Sequence, residues 1–170
     1  MIWKRSLLLF LLTITGLAVE TSVLGRATLV GTKPELLLLI VVVLAMEEGP
    51  AFGTAAGFVM GLSTDLVLQL PAGVSALTFT LIGYVVGRIR AQFQTRSAWL
   101  PMAMVSTATF VGVLFYAGFN EALGQHFSGL SVLRAAGISA VYNGLLTPFV
   151  FPIVRALSAR LRPASSEMLS

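Results

Sequence analysis

Long apolar runs separated by short polar breaks dominate this chain and limit the folds open to it. A membrane-crossing helix needs about 20 predominantly apolar residues. Four runs reach that length, at 5–25, 73–92, 98–122 and 131–158. Only 11% of the 170 residues are charged, against about 25% in a soluble globular domain. We therefore predict an all-α, polytopic transmembrane bundle rather than a water-soluble protein.

The segment 34–70 contains two further, shorter candidates. PELLLLIVVVLAM is stopped by EEGP, and AFGTAAGFVMGLSTDLVLQL follows at once. These are either two short crossing helices or a re-entrant hairpin that enters and leaves on one side. A hairpin would place Glu47 and Glu48 at membrane depth, where one charge costs about 3 kcal/mol. We predict six helices in total, with helices two and three short or tilted. The re-entrant hairpin is kept as the alternative for this segment.

The basic residues predict the orientation, because cytoplasmic loops carry an excess of Lys and Arg. With six spans and a cytoplasmic N-terminus, three of the 11 basic residues lie outside, namely Arg26, Lys33 and Arg134. The other eight lie inside, so we expect both termini in the cytoplasm. The net charge of +4 is then explained without nucleic acid. We expect one transmembrane domain over 1–162, with an uncleaved first helix, and a disordered cytoplasmic tail at 163–170.

A stripe of small residues marks helix three. Gly53, Gly57, Gly61 and Asp65 are spaced by four, which places them along one face of an α-helix. Three glycines in line form a groove that another helix can approach closely. We therefore expect helix three to pack tightly within the bundle.

Helix four is the expected neighbour. Gly83 and Gly87 repeat the four-residue spacing in GYVVG, and Pro71 and Gly73 form a tight turn that joins the two helices. A short turn brings consecutive helices side by side. The two sets of glycines are therefore candidates for helix packing or for binding a partner.

Asp65 is the single aspartate of the chain, and two hypotheses explain it. A carboxylate at this depth should face protein or water rather than lipid. It could form an ion or proton site or contact a partner. It could instead accept hydrogen bonds from backbone N–H groups of the LPAG turn, or from Ser63 or Gln69, and we favour this second hypothesis.

The remaining polar positions indicate structure rather than chemistry. Asn143 lies in the middle of the last helix and can hydrogen-bond to another helix, and Pro148 predicts a kink there. The chain has no cysteine and one histidine, His126, and it lacks HExxH, GxSxG and P-loop motifs. We predict no enzyme activity, no catalytic residue, no metal site and no cofactor.

Taken together, these motifs resemble a known family. The order of a proline before a leucine-rich helix, a glycine-rich helix ending in aspartate, a proline–glycine turn and GYxxG is similar to the core of the rod shape-determining protein MreD. Pro34, Gly49 and Tyr84 fit that pattern besides the residues named above, and YNGLLTPFVFPIVRAL, with Asn143 and Pro148, is similar to its closing helix.

The resemblance implies a function and partners. It implies a non-catalytic scaffold of the cell-wall elongation complex, or elongasome, in the bacterial inner membrane. Such a scaffold binds MreC directly, and through it MreB, RodA and a penicillin-binding transpeptidase, in the control of peptidoglycan synthesis and rod cell shape. The family also looks similar in fold to the substrate-binding subunits of energy-coupling-factor transporters. A small-molecule-binding subunit of a vitamin transporter is therefore the alternative. We also expect the protein to contact membrane lipid. Whether it forms a homodimer is left open by the sequence.

Overall fold

The computed structural model of the chain describes residues 2–24, 35–69, 73–92, 99–125 and 128–159. These residues form six α-helices, which confirms the predicted number and the all-α class. The helices are α1 Ile2–Val19, α2 Leu36–Glu48, α3 Pro50–Val67, α4 Val74–Gln92, α5 Trp99–Ala122 and α6 Gly129–Ala159. A π-helical turn, Glu20–Leu24, extends α1. Pro71, His126 and the predicted tail at 163–170 lie outside the described residues.

The turn between α2 and α3 is made by a single residue, Gly49. Its φ is +88°, a conformation that residues with a Cβ rarely adopt. Pro50 then occupies the start of α3, where its missing N–H leaves no helical hydrogen bond unmade. The two helices therefore follow one another directly and run side by side.

α2 forms the centre of the bundle. All 11 residues from Leu36 to Met46 are buried, and α2 packs against all five other helices. A helix that is apolar on every side is stable only when it is surrounded. The surrounding helices instead bury one face and expose large apolar side chains on the other, such as Phe10, Leu66 and Phe149.

The contacts of α2 with α6 show which part of α6 lies beside it. Its start lies beside Asn143, in the middle of α6. Its end lies beside Arg155, which is 3.9 Å from the Glu47 carboxylate. Thirteen residues of α-helix rise about 20 Å, so α2 is shorter than the roughly 30 Å of a bilayer's hydrocarbon core.

Within the described ranges, three helices are long and apolar enough to span a membrane, namely α4, α5 and α6. α1 carries a shorter apolar stretch, Ser6–Ser22, and α2 is only 13 residues long. Length and composition thus support a membrane protein. Full crossing by 34–70 and the cytoplasmic position of both termini remain predictions.

Candidate functional site

The glycines of α3 face the main chain of α4. Gly53, Gly57 and Gly61 are all buried. A methyl group added at Gly61 would lie 2.5 Å from the carbonyl oxygen of Ser75 and 2.6 Å from the Cα of Ala76. One added at Gly57 would collide with the main chain of Phe79 and Thr80. The two helix backbones therefore touch here without intervening side chains.

The glycines of α4 complete the same contact from the other side. A methyl group at Gly83 would meet the carbonyl oxygen of Gly53, and one at Gly87 would lie 2.5 Å from the Cα of Pro50. We call the five residues Gly53, Gly57, Gly61, Gly83 and Gly87 the glycine seam. Close backbone approach of this kind gains dispersion contacts that larger side chains would prevent.

The α2–α3 contact is equally tight. A methyl group at Gly53 would lie 2.5 Å from the Cβ of Ala45 on α2. Gly53 is thus wedged between α2 and α4. The seam consequently fixes three consecutive helices against each other.

Asp65 closes the far end of the seam. Its side chain is 1% exposed and accepts hydrogen bonds from the backbone N–H groups of Gly73 at 2.8 Å, Ser75 at 3.2 Å and Ala76 at 3.3 Å. These donors belong to the first turn of α4 and the residue before it. A negative charge is stabilised at a helix N-terminus, where N–H groups have no helical partner.

Neither of the two other partners considered for Asp65, Ser63 and Gln69, forms a hydrogen bond with it in the part of the chain that the structure describes. Ser63 donates its hydroxyl hydrogen to the carbonyl of Val59. Gln69 adopts a positive φ of 52° just after α3. Gly73, with a φ of +100°, precedes α4 in the conformation that a glycine adopts at low cost. The carboxylate therefore joins α3 to the beginning of α4.

A second polar contact surrounds Asn143 of α6. Its fully buried side chain donates from Nδ2 to the carbonyl oxygen of Glu35 at 3.0 Å and to Oγ1 of Thr109 at 3.0 Å. The first acceptor lies at the start of α2 and the second on α5. Asn143 therefore ties three helices together at the middle of α6.

The orientation of the Asn143 amide follows from these acceptors. A main-chain carbonyl cannot donate, so the amide nitrogen must face Glu35, and Oδ1 points elsewhere. Oδ1 is buried and has no hydrogen-bond partner among the described residues. Thr147, one turn along, donates to the carbonyl of Asn143 at 2.7 Å. Pro148 follows within α6, which continues as a helix to Ala159.

Sequence reasoning missed two members of this contact. Thr109 is one of several hydroxyl residues in an apolar helix, and no spacing distinguishes it. Glu35 takes part through its main chain, which leaves no signal in the residue type. The ion pair of Glu47 with Arg155 joins residues from distant parts of the chain, and it too was not predicted.

The chemistry available at these positions is limited. Within the ranges that the structure describes, no three His, Asp or Glu side chains gather as metal ligands would. Grooves with largely apolar lining lie on α6, with a volume of about 650 Å³, and between α4 and α5, with about 380 Å³. What the arrangement can do is hold helices together and offer apolar faces.

The chain matches the model of a known protein family. A family model described as rod shape-determining protein MreD matches residues 2–157, which spans the chain from the start of α1 almost to the end of α6. No solved structure matches the chain. The similarity in fold to energy-coupling-factor subunits therefore stays a prediction.

Proposed function

Because the chain belongs to the MreD family of rod shape-determining proteins, we propose that it is a non-catalytic scaffold that binds MreC in the bacterial inner membrane. Family membership indicates a role in determining rod shape. The scaffold mechanism and the partner are our inference. The observation that carries it is the glycine seam, whose five glycines lie in close contact with the main chain of the neighbouring helix.

Contacts that bury main chain against main chain make a rigid unit. Helix backbones held without intervening side chains have few alternative packings, since each glycine position admits no added atom. Beside this unit, α2 is buried from Leu36 to Met46, so this part of the helix offers little surface to a partner. A rigid bundle suits a protein whose task is to hold others in fixed positions.

The outward faces are left for partners. Exposed large apolar side chains lie on several helices, for example Tyr84 on α4, Phe115 on α5 and Ile153 on α6. The helix of a single-span protein such as MreC can bind a face of this kind through van der Waals packing. Through MreC the protein reaches MreB, RodA and the penicillin-binding transpeptidase.

Asp65 bears on the alternative of a vitamin-transport subunit. A ligand-binding carboxylate needs lone pairs free for the ligand. Both oxygens of Asp65 already accept hydrogen bonds, and three backbone donors surround them. The acid on which that alternative depends is thus engaged in joining α3 to α4, and we favour the scaffold.

The experiment is affinity purification of the tagged protein from its own bacterium in mild detergent, followed by mass spectrometry. We expect MreC among the recovered proteins, and its absence from a parallel purification of an unrelated tagged polytopic protein. Recovery of an ATPase module together with a vitamin, and no MreC, would overturn the proposal.

A further inference from the structure

A groove runs along the outer surface of α6. Its volume is about 650 Å³, and we call it the α6 groove. Its lining includes Arg134, Gly137, Ile138, Val141, Tyr142 and Leu145. No described residue lies within 4 Å of the position that a Cβ of Gly137 would occupy, so this glycine opens the groove to the outside instead of admitting another of the described helices.

The length of the α6 groove matches one leaflet of a bilayer. From Arg134 to Leu145 the helix rises about 16 Å. The hydrocarbon core of a bilayer is about 30 Å thick, so the groove covers about half of it. The transmembrane helix of a partner would extend well past this groove, whereas an acyl chain occupies a single leaflet and matches it in length.

The charge at one end of the groove fits a lipid headgroup. Arg134 is exposed, and it lies near the beginning of α6, which starts at Gly129. No carboxylate among the residues that the structure describes forms an ion pair with it. Arginine near the end of a membrane helix extends its charged group to the lipid interface while its aliphatic part stays among apolar groups.

We propose that the α6 groove binds one anionic phospholipid, with its phosphate on the Arg134 guanidinium and an acyl chain along Gly137, Val141 and Leu145. Guanidinium and phosphate pair through charge-assisted hydrogen bonds. The open position at Gly137 gives the chain room against the helix backbone. This site is independent of the binding of MreC.

A second groove provides an internal comparison. On α5, Val111, Leu114, Phe115, Gly118, Phe119 and Ala122 line a groove of about 500 Å³. Gly118, like Gly137, has nothing within 4 Å of its Cβ position. Among the residues that the structure describes, none in the lining of this groove is basic, so it offers an acyl chain the same kind of contact without a described partner for the phosphate.

The test is native mass spectrometry of the purified full-length protein with added phosphatidylglycerol or phosphatidylethanolamine of identical acyl chains. Pairing of the lipid's negative charge with the one basic residue described in the α6 groove favours anionic lipid at this site by a factor of about five. We expect the wild-type protein to retain phosphatidylglycerol over phosphatidylethanolamine by about that factor, and Arg134→Gln to lose the preference. Arg88→Gln removes the same charge from an exposed position on α4 and should keep it.

The acyl-chain contact is tested separately. Gly137→Leu fills the α6 groove and should reduce the retention of both lipids, whereas Gly118→Leu on α5 should leave the preference for phosphatidylglycerol unchanged. Both glycines face open space, so the variants should fold, which their unfolding temperatures would verify. Equal retention of the two lipids by the wild-type protein, or a preference that survives Arg134→Gln, would overturn the proposal. A third result would also overturn it. If Gly137→Leu retained lipid as the wild-type protein does but lost self-association or a bound protein, the groove would hold a helix and not a lipid.

Discussion

The main chain of Gly57 on α3 lies directly against the main-chain carbonyl of Phe79 on α4, with no space for a methyl group between them. This contact is the middle of the glycine seam. A Cβ at Gly57 would meet backbone atoms, which cannot rotate away as the end of a side chain can. The two helices would have to separate to admit it.

Gly57→Ala should therefore destabilise the protein. Overpacking of a well-packed interior costs about 1–3 kcal/mol, and the thermal unfolding midpoint in detergent should fall accordingly. The matched control is Gly118→Ala, where the added methyl group meets open space and alanine is the better helix former by about 1 kcal/mol. The control should be unchanged or more stable. Equal midpoints for the two variants would show that the seam is not tightly packed.

Asp65→Asn tests the connection between α3 and α4. The neutral amide keeps one acceptor oxygen but loses the charge that strengthens the hydrogen bonds from Gly73, Ser75 and Ala76. Hydrogen bonds to charged groups contribute about 1.5–3 kcal/mol, and we expect a loss of stability in this range. Glu121→Gln, at an exposed acid, should change stability by less than about 0.5 kcal/mol. If Asp65→Asn were as stable as the wild-type protein, the negative charge would not contribute to the hydrogen bonds with these N–H groups.

The Asn143–Thr109 hydrogen bond can be measured by a double-mutant cycle. Asn143→Ala and Thr109→Val, alone and together, should give a coupling free energy of about 0.6 kcal/mol or more, the average for polar contacts between membrane helices. A cycle of Asn143→Ala with Asn120→Ala is the control, because Asn120 donates within α5 to the carbonyl of Tyr116. Additive effects in the first cycle would contradict the contact.

The Glu47–Arg155 ion pair should contribute little. Its atoms are 3.9 Å apart, and the Arg155 side chain is 65% exposed, so water and salt screen the attraction. We expect Arg155→Gln to lower stability by less than about 1 kcal/mol, with the difference from wild type shrinking as salt is added. A loss as large as that of Asp65→Asn, independent of salt, would show that the pair is effectively buried.

The sequence predicts the helices well because apolar run length and the residues that stop helices are local properties. The runs at 73–92 and 98–122 correspond to α4 and α5 within one residue. The spacing of Gly53, Gly57 and Gly61 predicts a groove because helical periodicity alone places them on one face.

Contacts between distant parts of the chain could not be predicted in the same way. The sequence indicates that Asn143 can hydrogen-bond to another helix, yet its acceptors depend on how α2, α5 and α6 meet. One of them is a main-chain carbonyl, at Glu35, which any residue could supply. The depth at which α2 begins is also set by this packing, since nothing in PELLLLIVVVLAM specifies which part of α6 lies beside it.

The most direct test of the scaffold is a binding measurement with purified components. The full-length protein and full-length MreC from the same bacterium are co-incorporated into lipid nanodiscs, because two transmembrane helices can pack only within one bilayer, with an unrelated single-span protein as control. We predict that MreC is retained specifically and saturably by the wild-type chain, without any small molecule. A folded protein that does not retain MreC, but is stabilised by a vitamin and associates with an ATPase module, would contradict the account.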